Sequence, residues 1–179
     1  MKTIIDKQIE AGVTLQKEFG YKNIMSIPKI TKVVISSATG TGMKKDRHRN
    51  DLVVDRLSKI AGQKPAIRQA RLSVASFKIR EGDKVGVAVT LRGKKMVGFL
   101  DKLFNIALPR TKDFRGIDKK SVDSMGNMTF GIKEQTIFPE IKDEELKDVF
   151  GMAITLVTSA KDKQSATRLF ELIGMPFKK

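Results

Sequence analysis

At 179 residues, with 35 Lys+Arg against 20 Asp+Glu, the chain is long enough to bury a core and carries a formal charge of +15, with a pI near 10.1. Its 40% hydrophobic content and 5 prolines exclude a disordered polymer, and the absence of cysteine excludes disulfides and thiolate metal sites. No window approaches the roughly 20 apolar residues of a membrane span, and the first residues lack a signal peptide's apolar stretch. A cytoplasmic protein, or one of an organelle matrix, is therefore expected, with no membrane partner.

Residues 3–19 read as a helix, with Ile5, Ile9, Val13 and Gln16 on one stripe and Gly20 as its stop. A strand rich in Ile, Val and Thr is predicted over 28–36, ended by the Gly/Ser/Thr cluster of 36–42. Asn50 or Asp51 is placed to cap a helix whose stripe is Val53, Leu57, Ile60 and Ala61, closed by Gly62. Pro65 opens an extended stretch to residue 71. The clearest strand is 85–92: Val85, Val87, Val89 and Leu91 point one way, and Gly86, Ala88, Thr90 and Arg92 the other. A helix with Met96, Leu100, Leu103 and Ala107 at helical spacing follows and is expected to end at Pro109. Residues 128–133 alternate again, 151–159 form a further strand, and 162–173 form a helix with Ala166, Leu169, Phe170 and Ile173 inward. Five strands and four helices, irregularly interleaved with no repeat or linker, predict one two-layer α+β domain over 1–179.

The charge is unevenly spread. Residues 1–27 carry a net +1, residues 28–115 carry 21 basic and seven acidic side chains, and residues 116–179 are neutral. From 56 to 80 there are seven cations (Arg56, Lys59, Lys64, Arg68, Arg71, Lys78, Arg80) and no carboxylate. Such a localised positive field suits a polyanion, through phosphate neutralisation and counterion release. Catalytic groupings are missing. His48 is the only histidine, and without cysteine it makes neither a metal cluster nor a nucleophile–base dyad. No metal and no cofactor are expected. The carboxylates Glu140, Asp143, Glu144, Glu145 and Asp148 are interleaved with Lys142 and Lys147 and read as a solvated face, which a basic protein partner would also suit. Residues 40–45 follow a strand and are glycine-rich, but lack P-loop spacing; a flexible turn near RNA phosphates is the better reading. The segment 71–84 joins two strands and carries Phe77 beside Lys78 and Arg80. Two readings stay open: Phe77 stacks on a base or ribose, or it folds into the core.

Several blocks, in order, resemble the bacterial-type family of large-subunit ribosomal protein number five, from residue 21 to the C-terminus. They are Ala61-Gly62-Gln63-Lys64-Pro65, Ser73-Val74-Ala75-Ser76-Phe77-Lys78-Ile79-Arg80, Val89-Thr90-Leu91-Arg92-Gly93 and Pro109-Arg110-Thr111-Lys112-Asp113-Phe114-Arg115-Gly116. Gly126-Asn127, Gln135-Thr136-Ile137-Phe138-Pro139-Glu140-Ile141 and Pro176-Phe177-Lys178-Lys179 complete the set. The resemblance implies a curved, mainly antiparallel sheet backed by helices, and a structural rather than enzymatic role in binding 5S rRNA and attaching it to the large subunit. Carried over by position, it implies 5S rRNA contacts at Lys32, Ser36, Gln63, Lys64, Arg68, Thr90 and Arg92. It further implies that the loop Ser73, Val74, Ala75, Ser76, Phe77, Lys78 and Arg80 reaches P-site tRNA. Contact with a small-subunit head protein, an intersubunit bridge, falls on Arg110, Lys112, Arg115, Glu140, Asp143 and Glu144. Other partners are 23S rRNA and neighbouring large-subunit proteins. The chain departs from the family at Ser36, where an asparagine is usual, at Arg68, where a small hydroxyl residue is usual, and at Ala38, where glycine is usual. A general RNA chaperone or DNA binder, and an enzyme acting on RNA, are the competing readings. The first would lack selectivity for one RNA. The second would need a histidine, a metal site or paired carboxylates by the basic face.

Overall fold

Thr3 opens the first helix by a reciprocal cap: its side-chain oxygen accepts from the Asp6 N–H at 3.3 Å, and the Asp6 carboxylate accepts from the Thr3 N–H at 3.0 Å. The computed structural model describes residues 3–40, 48–112, 114–141 and 149–178. Its strands are β1 (Ile30–Ala38), β2 (Ala66–Gln69), β3 (Lys84–Leu91), β4 (Met128–Ile132) and β5 (Met152–Thr158). Its main helices are α1 (Ile4–Phe19), α2 (Arg49–Ala61), α3 (Gly93–Lys102) and α4 (Lys163–Ile173). Helices α1 and α2 stop at the expected glycines, Gly20 and Gly62, and α4 stops at Gly174, all three in the left-handed conformation.

The strands form one sheet in the order β2-β3-β1-β5-β4. Each neighbouring pair is antiparallel. Among the bonds along them, Thr39 N–H donates to the Val85 carbonyl at 3.0 Å, Ser159 N–H to Lys29 at 2.9 Å, and Thr129 and Thr155 share a hydroxyl hydrogen bond at 3.0 Å. The two-layer α+β architecture expected from the element pattern is the one observed. By packing, the chain divides into Met1–Val33, Leu91–Phe130 and Ile154–Lys179 as one unit and Val34–Thr90 and Gly131–Ala153 as another. In the first, α1 packs on α4 and α3, and Leu15, Leu100, Leu103, Leu169 and Phe170 are buried. In the second, α2 lies against β2, and Val53, Leu57 and Ile60 are buried with Ile35, Val87 and Val89.

Three expectations are corrected. The stripe Ile5, Ile9 and Val13 faces solvent at 50%, 65% and 54% exposure; α1 instead buries Ile4, Ala11, Gly12 and Leu15. Both stripes have helical spacing. The buried stripe passes Ile27, whose Cγ2 atom lies 3.7 Å from where a Cβ on Gly12 would stand, an ordinary contact. Neither Asn50 nor Asp51 caps α2: the helix begins at Arg49 after His48, and Asn50 is buried, its amide donating to the Lys84 carbonyl at 3.5 Å. Pro109 does not end the third helix. A π-helical turn over Leu103–Ala107 carries it on through Leu108–Arg110, and Leu108 N–H donates five residues back to Leu103.

On the outer surface of the first unit, Arg168 grips Glu18 with two hydrogen bonds of 2.8 and 2.7 Å and also reaches Glu171 at 3.2 Å. Lys119 donates to the other Glu171 oxygen at 2.7 Å. The Arg168 hydrogen bond holds the Glu18 carboxyl below its ordinary pKa, and the Lys119 hydrogen bond does the same for Glu171. The arginine is correspondingly raised, first by Glu18.

Candidate RNA-binding surface

The two faces of the strands are sorted by side-chain size. Val87, Val89 and Leu91 of β3 are buried, as are Val33, Ile35 and Ser37 of β1, the last with its hydroxyl donating to the Gly151 carbonyl at 2.8 Å. The alternate residues Lys32, Val34 and Ser36 of β1, and Gly86, Ala88 and Thr90 of β3, are only half-buried, and Arg92, just beyond β3, is exposed. Lys32 and Ser36 therefore share the open face of β1, and Thr90 lies on the open face of β3, as the period-2 pattern requires.

The edge strand extends this face. In the β2–β3 ladder Ala66 stands opposite Ala88 and Arg68 opposite Gly86, and cross-strand partners point to the same side. A floor of Ala66, Gly86 and Ala88 thus runs beneath the exposed Arg68. Gly86 suits the site for a second reason: a Cβ on it would stand 3.2 Å from the Ser37 carbonyl oxygen, a tight contact. At one end of the floor the exposed Gln63 donates from its amide to the Thr90 carbonyl at 3.4 Å, so its carboxamide oxygen can still accept; exposed Lys64 follows it. The arrangement combines close backbone access, neutral hydrogen-bonding groups at Gln63, Thr90 and Ser36, and the long-stemmed cations Lys64 and Arg68. Gly86, Ala88 and Ala66 belong to this surface as its floor, and a glycine inside a strand is the sequence signal for it. A shallow open groove of about 650 Å³ between α2 and β2 borders the same end, and its Asp51 and Asp55 mark where the basic surface stops.

The segment between β2 and β3 is a tied finger. Ala70 N–H donates to Asp83 at 2.8 Å and Gly82 N–H to Ala70 at 3.0 Å, closing its base. Val74 and Ile79 exchange bonds of 2.9 and 3.2 Å across it, and Ser73 accepts from the Glu81 N–H at 2.9 Å. Lys78 turns the tip with φ 51. Phe77 does not fold into the core: its side chain is 65% accessible, with Leu72 at 75%. Ala75, Ser76 and Lys78 are exposed beside it, and Arg80 is exposed near the base.

Arg110, at the end of the third helix's continuation, and Lys112 and Arg115 beyond it are exposed. Glu140 is half-buried and belongs to the other packing unit; Asp143, Glu144, Glu145 and Asp148 lie outside the described residues, as do residues 41–45 of the glycine-rich turn. His48 is exposed, with Nδ1 3.9 Å from the Asp51 carboxylate. Among the described residues no three His, Asp or Glu side chains gather where a metal would be held, and no helix is long and apolar enough to cross a membrane.

Closed by apolar volume on one side and open with small, hydroxyl and cationic residues on the other, this is a basic α+β scaffold suited to a large anionic partner. The family model described as ribosomal protein L5 matches residues 23–80, and the model for the C-terminus of the same ribosomal family matches residues 84–177. The chain is 52% identical over 170 residues to the large ribosomal subunit protein uL5 of Thermoanaerobacter sp. (strain X514), covering 95% of this chain and 94% of that one. It is 50% identical over 169 residues to the uL5 protein of Thermotoga maritima, covering 92% and 89%. Against uL5 of Desulfatibacillum aliphaticivorans it is 48% identical over 180 residues, covering 100% of both. The chain belongs to the ribosomal protein L5 family. It is a structural, non-enzymatic constituent of the large ribosomal subunit, working in the cytoplasm with rRNA and ribosomal proteins.

Proposed function

We propose that the open face of β1, β3 and β2 binds 5S rRNA and helps attach it to the large subunit. The observation that carries this reading is the β2–β3 register, which sets Arg68 over the Gly86/Ala88 floor and leaves Thr90 and Gln63 at its end. A floor without bulky side chains admits a ribose–phosphate backbone. Thr90, Gln63 and Ser36 offer groups that read 2′-hydroxyls and base edges, and Lys32, Lys64, Arg68 and Arg92 supply phosphate attraction. Arg68 replaces the hydroxyl residue usual in the family by a longer, cationic reach, which offsets the shorter Ser36.

The same reading gives the exposed finger a role against P-site tRNA, with Phe77 stacking and Lys78 and Arg80 on phosphates. It gives Arg110, Lys112 and Arg115, with Glu140, Asp143 and Glu144, contact with a small-subunit head protein in an intersubunit bridge. Contacts to 23S rRNA share the basic surface.

The test is equilibrium binding of the full chain to 5S rRNA and to random duplex RNA at physiological salt. Thr90→Val and Gln63→Ala should each weaken 5S rRNA binding by about 1–3 kcal/mol through lost hydrogen bonds, with duplex binding unchanged. Equal affinity for both RNAs would mark a general RNA chaperone and overturn the proposal.

A further inference from the structure

Between α1 and β1 the chain holds an apolar turn clear of the core. Asn23 caps it: its side-chain oxygen accepts from the Met25 N–H at 2.8 Å, and its carbonyl accepts from the Ser26 N–H at 3.0 Å and the Ser26 hydroxyl at 2.6 Å. Ile27 rests against Gly12 and Pro28 is buried, which fixes the mount. On it Ile24 and Met25 stand 70% and 79% exposed. Just before them in the chain the rings of Phe19 and Tyr21 stack with centroids 6.2 Å apart, Phe19 exposed and Tyr21 half-buried. Exposed lysines lie on both sides of the turn, Lys22 before it and Lys29 after it. The Lys29 N–H donates to the Ser159 hydroxyl at 3.1 Å and its carbonyl accepts from the Ser159 N–H at 2.9 Å, so exposed Lys161 joins them two residues further on. None of the three ammonium groups makes an ion pair among the described residues. The neighbouring carboxylates are already engaged, Glu18 by Arg168 and Asp162 by the Ser165 N–H and hydroxyl, both at 2.9 Å.

We infer that this turn is a second RNA-binding site, which takes an unpaired nucleotide of large-subunit rRNA other than 5S rRNA. Ile24 and Met25 form a rigid apolar wedge against a base, the stacked rings add a π-face, and Lys22, Lys29 and Lys161 meet the flanking phosphates. The occupant follows from which groups are free. Every free charge is an ammonium group, a point charge suited to phosphate, and the carboxylates that would repel phosphate are neutralised in place. A protein partner suits the turn less, because lysine is depleted in protein interfaces and no arginine stands here. A second copy of this chain brings a charge of +15 against another +15. All these residues belong to the first packing unit, whereas the Gly86/Ala88 floor and Arg68 belong to the second. A protein that attaches 5S rRNA to a larger body needs a contact with that body as well, and in this choice of RNA the inference rests on the attachment proposed above.

The test places a benzophenone cross-linker at position 25 of the full chain (Met25→p-benzoylphenylalanine), with a control at the equally exposed, apolar Ile9, and irradiates assembled large subunits. A cross-link from position 25, and not from 9, to one unpaired nucleotide of rRNA outside 5S rRNA is expected. The rRNA segment carrying that nucleotide, synthesised alone, should bind the free chain about tenfold more weakly after Met25→Asp. Lys22→Ala and Lys29→Ala should each lower the slope of log K against log salt for that segment by about 1. All three variants should keep the melting temperature and the 5S rRNA affinity of the free protein. A cross-link to a protein, to a second copy or to 5S rRNA overturns the inference, as does no cross-link from subunits that contain the variant. Thr90→Val should weaken 5S rRNA binding and leave the segment bound as before, the reverse of Met25→Asp, so failure of one proposal is distinct from failure of the other.

Discussion

The two faces of β3 share a backbone and differ in what their side chains are for. On one, Val87, Val89 and Leu91 are 1%, 3% and 0% exposed, and each is chosen for volume. On the other, Gly86 and Ala88 are chosen for lacking it, with Thr90 ending the row. Volume holds the molecule together, and its absence leaves the backbone of the open face accessible. Substitutions on the two faces should accordingly break different measurements.

The largest effect is expected on the closed face. Leu91→Ala removes a fully buried side chain and should cost about 2–5 kcal/mol in denaturant unfolding. The folded fraction should still bind 5S rRNA normally; a matching loss of affinity would show that the faces are not separable. Ala88→Leu adds volume to the open face. It should change stability by less than about 1 kcal/mol but weaken 5S rRNA binding by at least about 1.4 kcal/mol, a tenfold loss. Unchanged binding would remove β3 from the surface. Arg68→Ala should have a subtler signature, lowering the slope of log K against log salt by about 1 with little change in selectivity. An unaltered slope would leave the arginine without a phosphate.

The smallest effect concerns charge on the helices. Glu18 and Glu171 have folded pKa values below the ordinary 4.5, so the stability they contribute is complete above that pH and is lost as pH falls through the lowered values. Glu171→Gln should make thermal stability less steep on the acid side below about pH 4.5 and change little at pH 7, where exposed ion pairs are worth about 0–1 kcal/mol. An unaltered acid limb would place the protons elsewhere.

The face of β3 is readable in the sequence because core-facing and open-facing residues alternate there without a break from residue 85 to 91. Helix α1 is not, because two apolar stripes coexist in it. Hydrophobicity favours Ile5, Ile9 and Val13, whereas the packing buries Ile4, Ala11, Gly12 and Leu15. Pro109 misleads because it stands in the first turn of the short helical segment that follows the π turn, where its missing N–H is tolerated. The place of Arg68 stays open in the sequence. Its face depends on pairing across the 70–83 finger and on a register shift between Arg68 and Gln69, neither of which leaves a periodic trace.

That shift also bears on life before assembly. An open sheet exposes two borders to any other unpaired strand, here β2 and β4. The β2 border is four residues long, bulged at Arg68/Gln69 and flanked by Lys64 and Arg71, and the β4 border is five residues long. Short borders, and on β2 a register shift between flanking cations, make poor templates for cross-chain β-pairing. Such borders work against edge-to-edge polymerisation of the free protein.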